Sequence, residues 1–144
     1  MEIIVSAKPW QRAAALSVRM QVFVQERHIA LKDEFDDKDL PTTLYAVAYA
    51  APDKPVATGR FQAYDNVTMQ PERIATLADY RGQHLGAQII NALENVGRQH
   101  GYQKALIHSE LTAQGFYESL GYHVASDTFM EDGVPCVLVR KEQL

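Results

Sequence analysis

The stretch Tyr80-Arg81-Gly82-Gln83-His84-Leu85-Gly86-Ala87 joins a short apolar run to a long amphipathic segment. Its residue types suit an anion. The first N–H groups of a helix have no partner within it. They point outward, and the helix dipole adds partial positive charge there. A phosphate at that place is stabilised by both effects. Gly82 and Gly86 remove side chains that would block close approach, and Arg81 adds a full positive charge. The stretch lacks the Gly-Lys-Ser/Thr ending of a P-loop and the three-glycine dinucleotide fingerprint. Two glycines at a helix start also fit a turn with close helix packing. The residues alone leave both readings open.

Groups that could move protons are scattered. His28, His108 and His123 can titrate near neutrality, yet isolated histidines are more often structural or exposed. Asp33, Glu34, Asp36 and Asp37 form an acidic run, which reads as a solvated loop. Tyr117 lies beside Phe116 on a short predicted helix, and by composition alone it is a packing residue. Cys136 is the only cysteine, so no internal disulfide is expected. It reads as a small buried apolar residue. No His/Cys/Asp spacing argues for a metal.

The elements that must position these groups are readable in outline. Glu2 to Ala7 reads as a strand. Pro9 suits the first turn of a helix, expected from Trp10 to about Gln25. Its apolar residues fall at mixed three- and four-residue steps. Arg27 to Leu40 is polar and irregular. Leu44–Tyr49, Val56–Ala63 and Arg73–Leu77 read as strands joined by turns, hence an antiparallel first half. His84 to His100 is an amphipathic helix, with Leu85, Ile89, Leu93 and Val96 on one face, ended by Gly101. Ala105–Ile107 is a strand and Thr112–Leu120 a short helix closed by Gly121. Tyr122–Ala125 and Val134–Arg140 are the last strands. The expectation is one α+β domain over residues 1–144, built on a mixed sheet.

Composition narrows the classes. The chain has 144 residues, 47% apolar and 22% charged, which fits one globular domain. A formal net charge of −4 argues against a general nucleic-acid binder. It suits small-molecule substrates, cationic ones included. The N-terminus lacks the basic start and apolar core of a signal peptide. No apolar run is long enough to cross a bilayer. The expected location is the cytoplasm.

Four segments in order carry a family resemblance. Arg73-Ile74-Ala75-Thr76-Leu77-Ala78-Asp79-Tyr80-Arg81-Gly82-Gln83-His84-Leu85-Gly86 resembles the acetyl-CoA motif of the GNAT N-acetyltransferase superfamily. In that motif a strand runs into a loop of the form Arg/Gln-x-x-Gly-x-Gly/Ala. The matched positions are Arg81, His84 and Gly86, with His84 in place of the first glycine. Ala113-Gln114-Gly115-Phe116-Tyr117-Glu118-Ser119-Leu120-Gly121-Tyr122 resembles the block beside the thiol end of CoA. Val22-Phe23-Val24-Gln25-Glu26-Arg27-His28-Ile29, then Glu34-Phe35-Asp36, resembles a small bacterial branch. Phe129-Met130-Glu131-Asp132-Gly133-Val134-Pro135-Cys136 resembles that branch's ending, with Cys136 in place of histidine.

The resemblance implies a GNAT-like fold, a mostly antiparallel central sheet flanked by helices, and acetyl transfer from acetyl-CoA to an amine. It implies main-chain contacts to the pantetheine arm from Thr76, Leu77 and Ala78. It places the pyrophosphate on Arg81, Gly82, Gln83, His84, Leu85, Gly86 and Ala87, where His84 in helical conformation can still donate its N–H. Tyr117 matches the acid that protonates the leaving thiolate. Base candidates are Glu72, Glu110 and the acidic run. The implied acceptor is a small-molecule or peptide amine, with no nucleic acid, membrane or metal involved. A homodimer is plausible by analogy. A non-catalytic acyl-CoA-binding module and a binder of another nucleotide are the competing readings.

Overall fold

The computed structural model describes residues 1–144. The strands are β1 (Glu2–Ser6), β2 (Tyr45–Ala51), β3 (Lys54–Ala63), β4 (Thr68–Thr76), β5 (Lys104–Glu110), β6 (His123–Val124), β7 (Phe129–Glu131) and β8 (Val134–Lys141). They form one sheet in the order β1-β2-β3-β4-β5-β8-β6, with β7 also paired to β8. Every pairing is antiparallel except β4 with β5. The mixed, mostly antiparallel sheet expected from the sequence is therefore present.

Alternation along β2 divides the core. Tyr45, Val47 and Tyr49 cluster with Ala15 of α1 (Pro9–Arg19), while Ala46 and Ala48 join the cluster of Ile89, Ile90 and Leu93 from α3 (Leu85–Gln99). Successive strand residues face opposite sides, so α1 covers one face and α3 the other. Gln11 is fully buried and pins α1 to the sheet. Its Nε2 donates to the carbonyls of Ile4 (2.6 Å) and Tyr45 (2.9 Å), and Tyr49 Oη donates to its Oε1 (2.6 Å). On the α3 face the fit leaves no spare volume at Gly59. A Cβ there would lie 2.7 Å from both Ile74 Cδ1 and Ile89 Cγ2. Gly59→Ala is expected to cost about 1–3 kcal/mol through overpacking, read as a lowered urea midpoint.

Several elements differ from the sequence reading. The first helix passes into π-helical turns at Met20–Glu26, and Arg27 N–H bonds Val22 O. The wider turn lets both Val22 and Phe23 enter the core, which is why the apolar steps looked mixed. β4 starts at Thr68 rather than Arg73. Pro71 hid it, because proline argues against a central strand. Phe61, its partner on β3, sends its N–H to the carbonyl of Leu44, the residue just before β2. The Phe61–Pro71 pair is thus a non-hydrogen-bonded one, and the N–H that proline lacks would face away from β3. β7 was also not anticipated. The short helix is α4 (Gln114–Ser119), entered through a 3-10 turn at Leu111–Ala113. A single helical turn, α2 (Leu31–Glu34), interrupts the stretch expected to be irregular.

Candidate active site

β4 and β5 meet only at Thr68–Lys104 and Met69–Ala105. Beyond these pairs β5 continues to Glu110 and β4 to Thr76 without pairing, so the sheet splits. The cause lies in β4. Its register against β3 steps from Thr58–Ala75 to Arg60–Glu72, which inserts one extra residue in β4. Arg73 at this bulge has φ 55°, and a bulge of this kind bends its strand away. One wall of the split is therefore an unpaired strand edge. Leu77 N–H is held by Val56 O at 2.9 Å. By alternation the Thr76 N–H and carbonyl face the split, and that carbonyl accepts from Arg81 Nε at 3.0 Å. Of the three residues expected to offer main-chain donors, Leu77 has its N–H committed to the ladder. Ala78 is exposed at the start of the Ala78–Tyr80 turn.

The loop that follows curls. Gly82 has φ 80° and His84 φ 62°. His84 is the N-cap residue of α3 and is left-handed, not helical as the sequence reading supposed. Histidine is one of the few non-glycine residues enriched in that region, which explains how it replaces a glycine without changing the loop's course. No side chain caps α3, and Gln88 is the first residue whose N–H reaches a carbonyl of the turn, His84 O at 3.2 Å. The N–H groups of Leu85, Gly86 and Ala87 stay unpaired. Left-handed residues before a helix start make a concave array of such donors, suited to an anion. Gln83 is exposed beside it. A Cβ on Gly82 would meet nothing within 4 Å, whereas one on Gly86 would lie 3.3 Å from Phe116 Cζ. The two readings of the glycines thus divide between them: Gly82 shapes an open turn, and Gly86 lets α4 pack on α3. His84→Gly is expected to leave stability equal or improved, while His84→Val lowers it by about 1–2 kcal/mol, because a β-branched residue fits the left-handed region worst. Thermal melts of the pair check this.

Arg81 does not stand free. Its Nη1 and Nη2 each donate at 2.7 Å to one carboxylate oxygen of Glu26. Its charge is balanced there, and Glu26 is held below the usual carboxylate range by this contact.

Tyr117 lies on α4, whose Phe116 packs beside Gly86 of α3. It is 8% exposed, edge-on to Phe116 (5.0 Å between centroids) and Tyr122 (6.1 Å). Burial, and then the charge of Glu110, pushes its phenol up to about 12. It is protonated throughout the neutral range. Glu110 ends β5, and its Oε1 accepts from Arg27 Nη2 at 2.5 Å. Cys136 is buried, and burial followed by the charges of Glu131, Glu110 and Asp132 raises its thiol.

The acidic run is not a solvated loop. Glu34 is fully buried. Arg19 Nε donates to Glu34 Oε2 at 2.9 Å, and its Nη1 to Asp39 Oδ1 at 2.7 Å. Arg60, 1% exposed, bonds Asp36 Oδ1 and Glu72 Oε1, both at 2.7 Å. Arg73 reaches Glu34 Oε1 (3.1 Å) and Asp36 Oδ2 (3.2 Å). The extra residue of the bulge is what allows Glu72 and Arg73, adjacent in sequence, to join the same network. Asp33 and Asp37 alone of the run are exposed. Arg19, Asp39 and Arg60 were not singled out by the sequence. Their oppositely charged partners lie 12 to 24 residues away, with no motif to announce them.

The chain thus combines a split sheet, an uncapped helix start and a buried phenol, and comparison with known proteins gives the family. The acetyltransferase (GNAT) domain matches residues 13–143. The chain belongs to this family, and it is an N-acetyltransferase. It is 46% identical over 106 residues to an uncharacterised acetyltransferase of Streptococcus pyogenes, covering 74% of this chain and 72% of that protein. It is 39% identical over 129 residues to the Bacillus subtilis protein YyaT, covering 89% and 86%. A Lactobacillus plantarum crystal structure, described as a candidate N-acetyltransferase, superposes with a TM-score of 0.96 at 43% identity, covering 99% and 98%. An aminoglycoside 6'-N-acetyltransferase complexed with coenzyme A shares the fold, with a TM-score of 0.78 at 12% identity over 98% and 96% of the two chains. No helix is long and apolar enough to cross a membrane.

Proposed function

We propose that the protein transfers the acetyl group of acetyl-CoA to a primary amine by direct attack, with Tyr117 protonating the departing thiolate. The observation that carries this reading is the split itself. It has an unpaired strand edge at Thr76, three unpaired N–H groups at Leu85, Gly86 and Ala87, and a protonated phenol. Acetyl-CoA supplies an activated acyl carbon and a diphosphate. The helix-start N–H groups hold the diphosphate, and Gly82 leaves room for it. The Thr76 edge orients the arm. A neutral amine nitrogen attacks the acyl carbon, the new C–N bond forms, and the C–S bond breaks. Tyr117, whose phenol is pushed up to about 12 and so holds its proton at neutral pH, gives that proton to the sulfur as the C–S bond breaks. The nitrogen releases its proton to Glu110, directly or through water. Glu110 suits this task because it ends β5 near enough to Tyr117 for its charge to raise the phenol, while Glu34, Asp36 and Glu72 belong to the network around Arg19 and Arg60. Arg27 occupies Oε1 of Glu110 only.

The acceptor class is a small-molecule or peptide amine, drawn to a chain of net charge −4. Calorimetric titration with acetyl-CoA, with ATP as control, is the test, followed by release of free CoA across a panel of amines. Micromolar acetyl-CoA binding, weaker ATP binding and turnover with at least one amine are expected. ATP binding as tight as acetyl-CoA, or binding without turnover for every amine, would overturn the reading.

A further inference from the structure

Glu26 and Arg27 are consecutive, yet they pair with opposite walls of the split. Glu26 takes Arg81, which follows β4, and Arg27 takes Glu110, which ends β5. Both residues sit where the π-helical turns end. Val22 and Phe23 of the turns share the buried core with Ala75, Leu77 and Ile107, but that packing stops short of Glu26 and Arg27. A cavity of about 300 Å³ lies between the turns and the β4 exit, lined by Gln21, Gln25, Glu26, Leu77, Ala78 and Asp79 among others. At the end of the turns the two ion pairs reach both walls.

Arg81 is the cation that the sequence assigned to the pyrophosphate. Three of its donors are spent: Nη1 and Nη2 on Glu26, and Nε on the Thr76 carbonyl. A two-pronged guanidinium–carboxylate contact is among the stronger hydrogen-bonded pairs. An arriving diphosphate would have to break it and then face the freed Glu26 charge. The unpaired N–H groups of Leu85, Gly86 and Ala87 demand neither.

The geometry points to a two-armed brace: Glu26 and Arg27 hold the walls of the split at the spacing the acyl-CoA arm needs, and Arg81 is a strut in that brace rather than a ligand of the diphosphate. Glu26 and Arg27 are then positioning residues, acting through Arg81 and Glu110. The inference rests on the reading that acetyl-CoA binds in the split.

A double-mutant cycle with a charge swap tests it, read by calorimetric affinity for acetyl-CoA and by KM against kcat. Half-exposed pairs are worth little, so Glu26→Ala and Arg81→Ala are each expected to weaken acetyl-CoA binding by only about two- to fivefold. The double alanine variant is expected to be no worse than either single. Glu26→Arg combined with Arg81→Glu is expected to restore binding, although it places a negative charge at position 81. Arg27→Ala is expected to raise the KM for acetyl-CoA by a similar factor. Tighter binding in Glu26→Ala, a swap as poor as Arg81→Glu alone, additive alanine effects, or an unchanged KM in Arg27→Ala would each overturn the brace. Wild-type protein that binds no acetyl-CoA would instead remove the functional reading beneath it. Wild-type binding with a failed cycle removes the brace alone.

Discussion

Replacing Tyr117 by phenylalanine is expected to leave acetyl-CoA affinity unchanged and to lower kcat by about a hundredfold or more, the usual scale for losing a positioned proton donor. The variant keeps the ring, and with it the edge contacts to Phe116 and Tyr122. The phenol donates to no protein group, so no internal hydrogen bond is lost. The effect then reports chemistry rather than folding. The sign of the pH dependence follows from the same burial. A phenol pushed up to about 12 does not deprotonate in the range where enzymes are assayed. An alkaline fall in kcat near neutrality therefore cannot come from Tyr117. Stopped-time assays of CoA release in wild type and Tyr117→Phe check this. A loss of less than about threefold would make Tyr117 a packing residue and leave the thiolate to solvent.

Arg60→Leu carries the largest expected loss of stability, about 3–5 kcal/mol at neutral pH, read from urea midpoints. Arg60 is 1% exposed and bonds Asp36, Asp39 and Glu72. Its removal leaves three crowded carboxylates without their shared cation, of which Asp39 is 8% exposed. The pH dependence has a definite sign. Asp39 is lowered to about 2, against the pull of burial, by hydrogen bonds from Arg19 and Tyr45. Asp36 is lowered likewise, against burial, by Arg60. A carboxyl with a depressed folded pKa binds fewer protons folded than unfolded. Its stabilisation is full above the unfolded value near ~4 and is lost as pH falls towards 2. Wild-type protein should thus destabilise between about pH 4 and pH 2. In Arg60→Leu the same carboxylates lack their cation and gain from protonation, so the deficit against wild type should shrink over that range. An equal deficit at both pH values would mean that Arg60 acts through packing alone.

The sequence reached the loop because its evidence is local. Gly82, Gly86 and the amphipathic face from Leu85 are contiguous, and a helix start creates unpaired donors whatever surrounds it. Alternation and turn chemistry placed most strands for the same reason. Histidine at position 84 shows the limit even there. Its residue type suggested a helical donor, whereas the chain needed a left-handed angle that histidine tolerates.

What the sequence determined by itself was the family pattern, the antiparallel first half, the long helix and the tyrosine that follows it. The tertiary structure alone decided the charge pairing. Asp36 looked solvated because its partners Arg60 and Arg73 stand 24 and 37 residues away, and Arg81 looked free because Glu26 stands 55 residues away. Hydrophobic periodicity is set by a residue's near neighbours, while an ion pair forms between whichever charges the folded chain desolvates together. Only the sheet, with its bulge at Arg73 and its split beyond Met69, brings those charges within reach of one another.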